Sequence, residues 1–287
     1  MFHFIKHRKI WYIISLLVIV PGLVSLVLQG LNLGIDFTGG NLVEVRMSRD
    51  VAIQQVRDVV EDLGYGASRN VQKSGQDIYL IRTRELTEEE SAKLIAALED
   101  KLGQMVLLRN ERVGPVIGRE LTTKAILALV IASALMLVYI TFRFEFKQGV
   151  AAVLALLHDT LVVIGIFSIF QIEVDSAFVA AILTIIGYSI NDTIIIFDRI
   201  RENLKMRKKG ETLEDLVNIS LWQTLTRSIN TVLTVVFVLV ALFFLGGTTI
   251  KSFVLAMLIG VTSGAYSSIF NASPIWVDLK LLENKGK

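Results

Sequence analysis

The sequence predicts a polytopic α-helical membrane protein with six transmembrane helices and one small α+β domain outside the cytoplasm. Three observations predict it. Apolar residues make up 53% of the 287, and the mean hydropathy of +0.60 exceeds what a soluble domain carries. Six apolar stretches are long enough to cross a bilayer. The net charge of +2 hides a segregation, because charged residues crowd into 31–120 and a few short loops.

The first stretch, Ile10 to Leu28, follows Lys6, Arg8 and Lys9. It is longer than a signal peptide's apolar region and no A-x-A site follows it, so it reads as an uncleaved first span. Further spans are expected at Lys124–Phe142, Gly149–Phe170, Ala177–Phe197, Ser228–Leu245 and Phe253–Trp276. Lys and Arg cluster in Lys6–Lys9, Arg143–Lys147, Arg199–Lys209 and Lys280–Lys287, whereas the turns Gln171–Ser176 and Gly246–Lys251 hold only Lys251. The positive-inside rule then makes both termini cytoplasmic. Trp11, Trp222 and Trp276 fall at the same ends, where an amphipathic indole favours the interface. The chain thus divides into residues 1–30 (cytoplasmic N-terminus and first helix), an extracytoplasmic domain at 31–120, and a five-helix bundle with cytoplasmic loops and C-terminus at 121–287.

Within 31–120, Leu42–Met47 alternates like a strand, and Asp50 is expected to cap a helix through Val56, Val59, Val60 and Leu63 that stops at Gly64. Strands follow at Asn70–Lys73 and Asp77–Thr83. Thr87 with Glu90 forms a capping box for a helix through Leu94, Leu98 and Leu102, ended by Gly103, before a last strand at Met105–Val113. The order β-α-β-β-α-β suggests a ferredoxin-like sandwich, a shape that identifies no function by itself.

Zero Cys excludes disulfides, thiolate chemistry and Cys-ligated metals, and three His without H-E-x-x-H spacing argue against a metal enzyme. No P-loop is present. No enzymatic activity, cofactor, metal site or nucleic-acid partner is expected. Ionisable residues inside spans are costly and therefore informative. His158 and Asp159 lie eleven residues, roughly 16 Å of helix, beyond Lys147, and Asn191 and Asp192 precede Asp198 by about 9 Å. Arg227 waits at the entrance to the fifth span. Two carboxylates, an imidazole and a guanidinium suit a proton path, since a carboxylate shielded from water holds its proton more tightly. They equally suit structural hydrogen bonding between helices, with Asn191, Ser189 and Tyr188 taking part, a local His158–Asp159 pair, and Arg227 as a snorkelling anchor. In the last span Ser252, Ala256, Gly260, Gly264 and Ser268 recur every four residues, offering a close-packing groove to a helix of this chain or another.

Three strings are more specific than hydropathy: Gly34-Ile35-Asp36-Phe37-Thr38-Gly39-Gly40, Gly114-Pro115-Val116-Ile117-Gly118-Arg119-Glu120, and Gly187-Tyr188-Ser189-Ile190-Asn191-Asp192 running on through Phe197-Asp198-Arg199-Ile200-Arg201-Glu202-Asn203. In these the chain resembles, over essentially its whole length, the SecF subunits of the SecD/SecF family of the bacterial Sec protein-export machinery. The resemblance implies an RND-like half-unit that pairs with SecD into twelve helices beside the SecYEG channel in the cytoplasmic (inner) membrane. It implies use of proton-motive force on exported polypeptide chains in late translocation, after the SecA ATPase has begun the work. It places Asp192 and Arg227 in the proton path, with Asp159 in the family's His-Asp pair. From the residues themselves, Gly34, Gly39 and Gly40 read as hinge glycines and Asp36 as a cap of that turn. The competing readings are an RND-type exporter of small molecules or lipids, a scaffold for channel assembly, and an aspartyl protease with an Asp159/Asp192 dyad. The last lacks Gly-x-Gly-Asp, because Ile190-Asn191 precede Asp192.

Overall fold

A computed structural model describes residues 2–65, 71–73 and 77–285. They form two compact units, Leu33–Ile126 and a second made of Met1–Asn32 with Leu127–Lys287.

The first unit holds β1 (Gly40–Met47), α2 (Ile53–Asp62), β2 (Val71–Lys73), β3 (Ile78–Thr83), α3 (Glu88–Leu102) and β4 (Met105–Val113); α1 belongs to the other unit. The sheet is antiparallel in the order β2-β3-β1-β4, the ferredoxin-like arrangement. Strand residues of one parity, Val43, Val45, Tyr79 and Ile81, form one core with Val56, Val59 and Val60 of α2 and Leu94, Leu98 and Leu102 of α3. Each such aliphatic side chain contributes about 1.5–3 kcal/mol on burial. Thr87 and Glu90 cap α3 reciprocally, with Glu90 N–H donating to Thr87 Oγ1 at 3.2 Å and Thr87 N–H to Glu90 Oε2 at 2.9 Å. Asp50 is not a cap. Helix α2 starts later, after Ala52, and the Asp50 carboxylate instead receives Lys73 Nζ at 2.6 Å. Asn70, expected to open the second strand, lies outside the described residues.

The glycine strings meet in this unit. Ile35–Thr38 makes a single helical turn, which Gly39 and Gly40 leave with φ of 73° and 120°, a region that side chains with a Cβ resist. Gly34 has φ −72°, which any residue adopts, so the conformational demand rests on the later pair. Gly118 lies on α4 (Pro115–Arg143), and a Cβ there would approach Phe37 O to 3.1 Å and Gly39 N to 3.2 Å. Pro115 opens α4, where its missing N–H costs nothing.

The second unit contains α1 (Arg8–Gln29), the later part of α4, α5 (Phe146–Ile169), α6 (Ser176–Lys205), α7 (Leu213–Leu245), α8 (Lys251–Ser267) and α9 (Ser273–Lys285). Among the described residues six helical stretches, the last running Lys251–Glu283, are long and apolar enough to cross a membrane. Helices α5 and α6 and the last span form the buried centre, while α1, α4 and α7 expose most of their apolar surface, as lipid solvation permits. A π-turn, Ser268–Ala272, joins α8 to α9 just before Pro274, which has no N–H to continue an α-helical ladder.

Small residues permit the tight crossings. A Cβ on Gly22 of α1 would fall 2.6 Å from Gly165 Cα of α5. Beside this contact Ser25 and Ser168 hydroxyls bond at 2.8 Å, and Ser168 donates to Gly30 O. The Gly260/Gly264 stripe packs inside the chain: Gly260 abuts Ile185, and a Cβ on Gly264 would lie 3.0 Å from Ser189 Cβ. At the bundle end rich in Lys and Arg, Arg8 bridges Glu214 and Asp278 at 2.9 and 2.8 Å, and Lys280 pairs with Glu145. Trp11 and Trp222 donate to Phe4 O and Phe2 O at this end. Trp276 does not serve as an interfacial anchor. It is wholly buried and packs near Phe197.

Candidate functional site

Asp159 and Asp192, on α5 and α6, are both buried, yet their surroundings differ. Asp159 is 1% exposed and is surrounded by donors. Its Oδ1 accepts from Ser263 Oγ at 2.7 Å and from the His158 ring at 3.0 Å, the tautomer with the proton on Nδ1 being the donor. Its Oδ2 accepts from Ser189 at 2.6 Å and from Ser267 at 2.7 Å. Three helices therefore close on one carboxylate, and every lone-pair direction of the charged group is used. Residues 263 and 267 present their hydroxyls together because i and i+4 share a helix face, and Gly264 lets Ser189 come close enough to complete the set.

Asp192 is 8% exposed and has half a shell. Ser228 Oγ on α7 donates to its Oδ1 at 2.6 Å, while its Oδ2 is buried without a hydrogen-bond partner among the described residues. A buried oxygen without a donor is unfavourable for a carboxylate and acceptable for a protonated acid, which needs fewer donors. Oδ2 is thus the one oxygen of the two membrane carboxylates that no donor occupies among the described residues.

Arg227 is exposed beside Ser228 and lines a cleft of about 350 Å³ with Asp198, Glu202 and Gln223. Among the described residues no ion pair joins it to Asp192. Asp198 is held by Arg201 at 2.9 Å and Arg143 at 3.4 Å. Asn191 is exposed, about 100° around the helix from Asp192. Tyr188 donates to Thr231 O at 3.1 Å, tying α6 to α7. Thr193 and Ser268 bond at 2.8 Å, tying α6 to the π-turn.

The structure thus brings His158 and Asp159 together, sets Asp192 apart from them on α6, and leaves Arg227 one residue from Asp192's partner. Sequence reasoning missed Ser228, Ser263 and Ser267 as partners of the carboxylates. Only the i, i+4 spacing of the last two, on a buried helix carrying Gly260 and Gly264, pointed towards them. Asp159 with Asp192 makes no protease dyad, because three serine hydroxyls and an imidazole occupy the oxygens of Asp159. The described residues include no cluster of three His, Cys, Asp or Glu able to hold a metal.

Fold and site together define a multi-pass membrane protein that carries hydrogen-bonded carboxylates in its bundle and a separate α+β domain. Comparison with known proteins gives the family. The family model described as "Protein export membrane protein SecD/SecF, C-terminal" matches residues 93–282, and the SecD/SecF GG motif matches residues 24–51. The chain is 46% identical to the protein translocase subunit SecF of Thermobaculum terrenum, over 96% of this chain and 93% of that one. It is 43% identical to protein translocase subunit SecDF of Bacillus subtilis, over 98% of this chain and 38% of the longer protein. A crystal structure of SecDF from Thermus thermophilus, described as a translocon-associated membrane protein, superposes with a TM-score of 0.90 at 35% identity, covering 97% of this chain and 38% of that one. The chain belongs to the SecF family of protein translocase subunits.

Proposed function

We propose that this translocase subunit, paired with a SecD partner, uses proton-motive force to promote the late stage of polypeptide export. In this reading residues 31–120 face outward from the cytoplasmic (inner) membrane and both termini face the cytoplasm. The partnership is supported by relatives in which a region like this chain occupies 38% of a longer SecDF polypeptide. The SecYEG channel would receive the chain started by SecA, and the exported polypeptide is the substrate.

The observation that carries the reading is the half-satisfied carboxylate of Asp192, with a buried oxygen free to take a proton. Asp192 alternates between protonated and charged forms, and Arg227 moves towards it when the charge appears. Asp159 is proposed as a fixed anion that holds α5, α6 and α8 in register, with His158 as its donor, because a proton on either oxygen would displace one of its four donors. Each elementary charge moved through 100 mV supplies about 2.3 kcal/mol, enough to bias a domain movement and too little to unfold a substrate. The outward domain would accordingly ratchet a chain already in transit.

The test is late-stage export in reconstituted vesicles containing the SecD partner and the Sec channel, at fixed ATP, with the gradient present or collapsed. Asp192→Asn keeps size and hydrogen bonding while removing titration, and is expected to abolish the response to the gradient. Asp192→Glu, which still titrates, is expected to keep part of it.

A further inference from the structure

Consecutive residues on α7 point about 100° apart, and the chain places Arg227 and Ser228 so that the hydroxyl, not the guanidinium, meets Asp192. Ser228 is 1% exposed and its Oγ lies 2.6 Å from Oδ1. The opposite oxygen, Oδ2, is equally buried and has no partner among the described residues. A bidentate guanidinium would have used both oxygens at once. A single neutral donor uses one and leaves the other open.

We propose that Ser228 is the positioning residue of the proton site: its hydroxyl fixes Oδ1 as the carbonyl oxygen, so that Oδ2 alone binds and releases the proton. The proposal rests on the reading of Asp192 as the proton carrier and adds which oxygen carries it and what selects it. When the proton leaves Oδ2, the carboxylate has one bond to a hydroxyl and one bare oxygen in a buried place. Arg227, about 100° away on the same helix, is a cation able to fill that vacancy after a rotation of α7. The titratable and charged groups that act on Asp192 are Arg227 on α7 and Tyr188 on α6 itself; His158 and Asp159 lie on α5, which also packs against α6. Tyr188 is engaged with Thr231 O, and His158 and Asp159 are engaged with each other. None of these occupies Oδ1, so Ser228 is the side chain whose removal changes the state of that oxygen.

The test is infrared difference spectroscopy of the full chain in membranes, titrated with acid, with the protonated carboxyl band of Asp192 assigned by its loss in Asp192→Asn. Ser228→Ala is expected to move that band to higher frequency, as for a carbonyl that has lost a hydrogen bond, and to lower gradient-stimulated export about tenfold. Ser228→Thr keeps the hydroxyl and is expected to restore both band and export. Ser228→Cys, with a weaker donor, should fall between, which preserves the test should the alanine variant fold poorly. Were no band lost in Asp192→Asn, the proton-carrier reading itself would fail. A band present but unmoved by Ser228→Ala and Ser228→Cys would show that Oδ1 is not held by Ser228, and would overturn this proposal alone.

Discussion

Replacing each membrane aspartate by asparagine separates the fixed-anion role proposed for Asp159 from the proton-carrying role proposed for Asp192. Asparagine offers one carbonyl acceptor and an NH₂ group that only donates. At Asp159, if the amide nitrogen takes the place of Oδ2, the hydroxyls of Ser189 and Ser267 lose their acceptor. If it takes the place of Oδ1, Ser263 and His158 lose theirs. Ser267 can fall back on Gly264 O at 3.3 Å, so one or two buried donors are stranded depending on the orientation, at about 1–3 kcal/mol each, and the loss is about 1–6 kcal/mol against a total stability of roughly 5–15 kcal/mol. At Asp192 the amide carbonyl keeps the bond from Ser228 and the NH₂ group falls where Oδ2 had no partner. There one unsatisfied buried group replaces another, the NH₂ lacking an acceptor where Oδ2 lacked a donor, so the expected loss is smaller than at Asp159. Thermal unfolding of the two variants in the same detergent, followed by loss of the monodisperse peak, should put Asp159→Asn well below the parent and Asp192→Asn closer to it. Equal midpoints for Asp159→Asn and the parent would refute the four-donor shell as a stabilising feature, and with it the fixed-anion role.

Other outcomes follow from the topology and packing. With no native Cys, an impermeant thiol reagent should label a cysteine placed at Ser74, outside the described residues, from the outer side, and should not reach one at Lys208; the reverse pattern would invert the proposed orientation. Gly264→Leu should displace Ser189 from Asp159, because a single Cβ already comes within 3.0 Å, and with Gly260→Leu it should lower the unfolding midpoint without blocking membrane insertion. Unchanged midpoints would mean that the stripe does not pack inside the chain. Glu90, held by Arg84 and then by the Thr87 N–H, has its carboxyl lowered from 4.5 to about 2. A depressed value contributes stability above the unfolded value that is lost as pH falls through 4.5 towards 2. Glu90→Gln should remove that part of the acid sensitivity, read as a smaller drop in midpoint across the same window.

Much of this architecture was legible because it depends on local patterns. Span positions follow from apolar length, and the Thr87–Glu90 box and the strand at Met105–Val113 follow from spacing within a few residues. What escaped depends on contacts distant in sequence. Ser189 was legible as a hydrogen-bonding residue between helices, but that its partner is Asp159, and that Ser263 and Ser267, up to 108 residues away, complete the shell, was not, because serine is too common to announce its partner. Asp50 has the chemistry of a cap, and only the start of α2 after Ala52 shows that it pairs with Lys73 instead. Trp276 looked interfacial from its place near a span end, whereas the continuation of the last helix through the π-turn buries it. The contrast between a saturated Asp159 and a half-satisfied Asp192 is a matter of which oxygen meets which hydroxyl, and no spacing rule encodes that.

The central claim is that Asp192 couples the proton gradient to export, and the most direct test compares parent and Asp192→Asn vesicles for late-stage translocation at fixed ATP with the gradient intact or collapsed. Collapse is expected to slow the parent and leave Asp192→Asn unchanged, because the variant has already lost the gradient-driven component. A variant that responds to the gradient as fully as the parent would contradict that claim and leave the chain a scaffold of the export machinery.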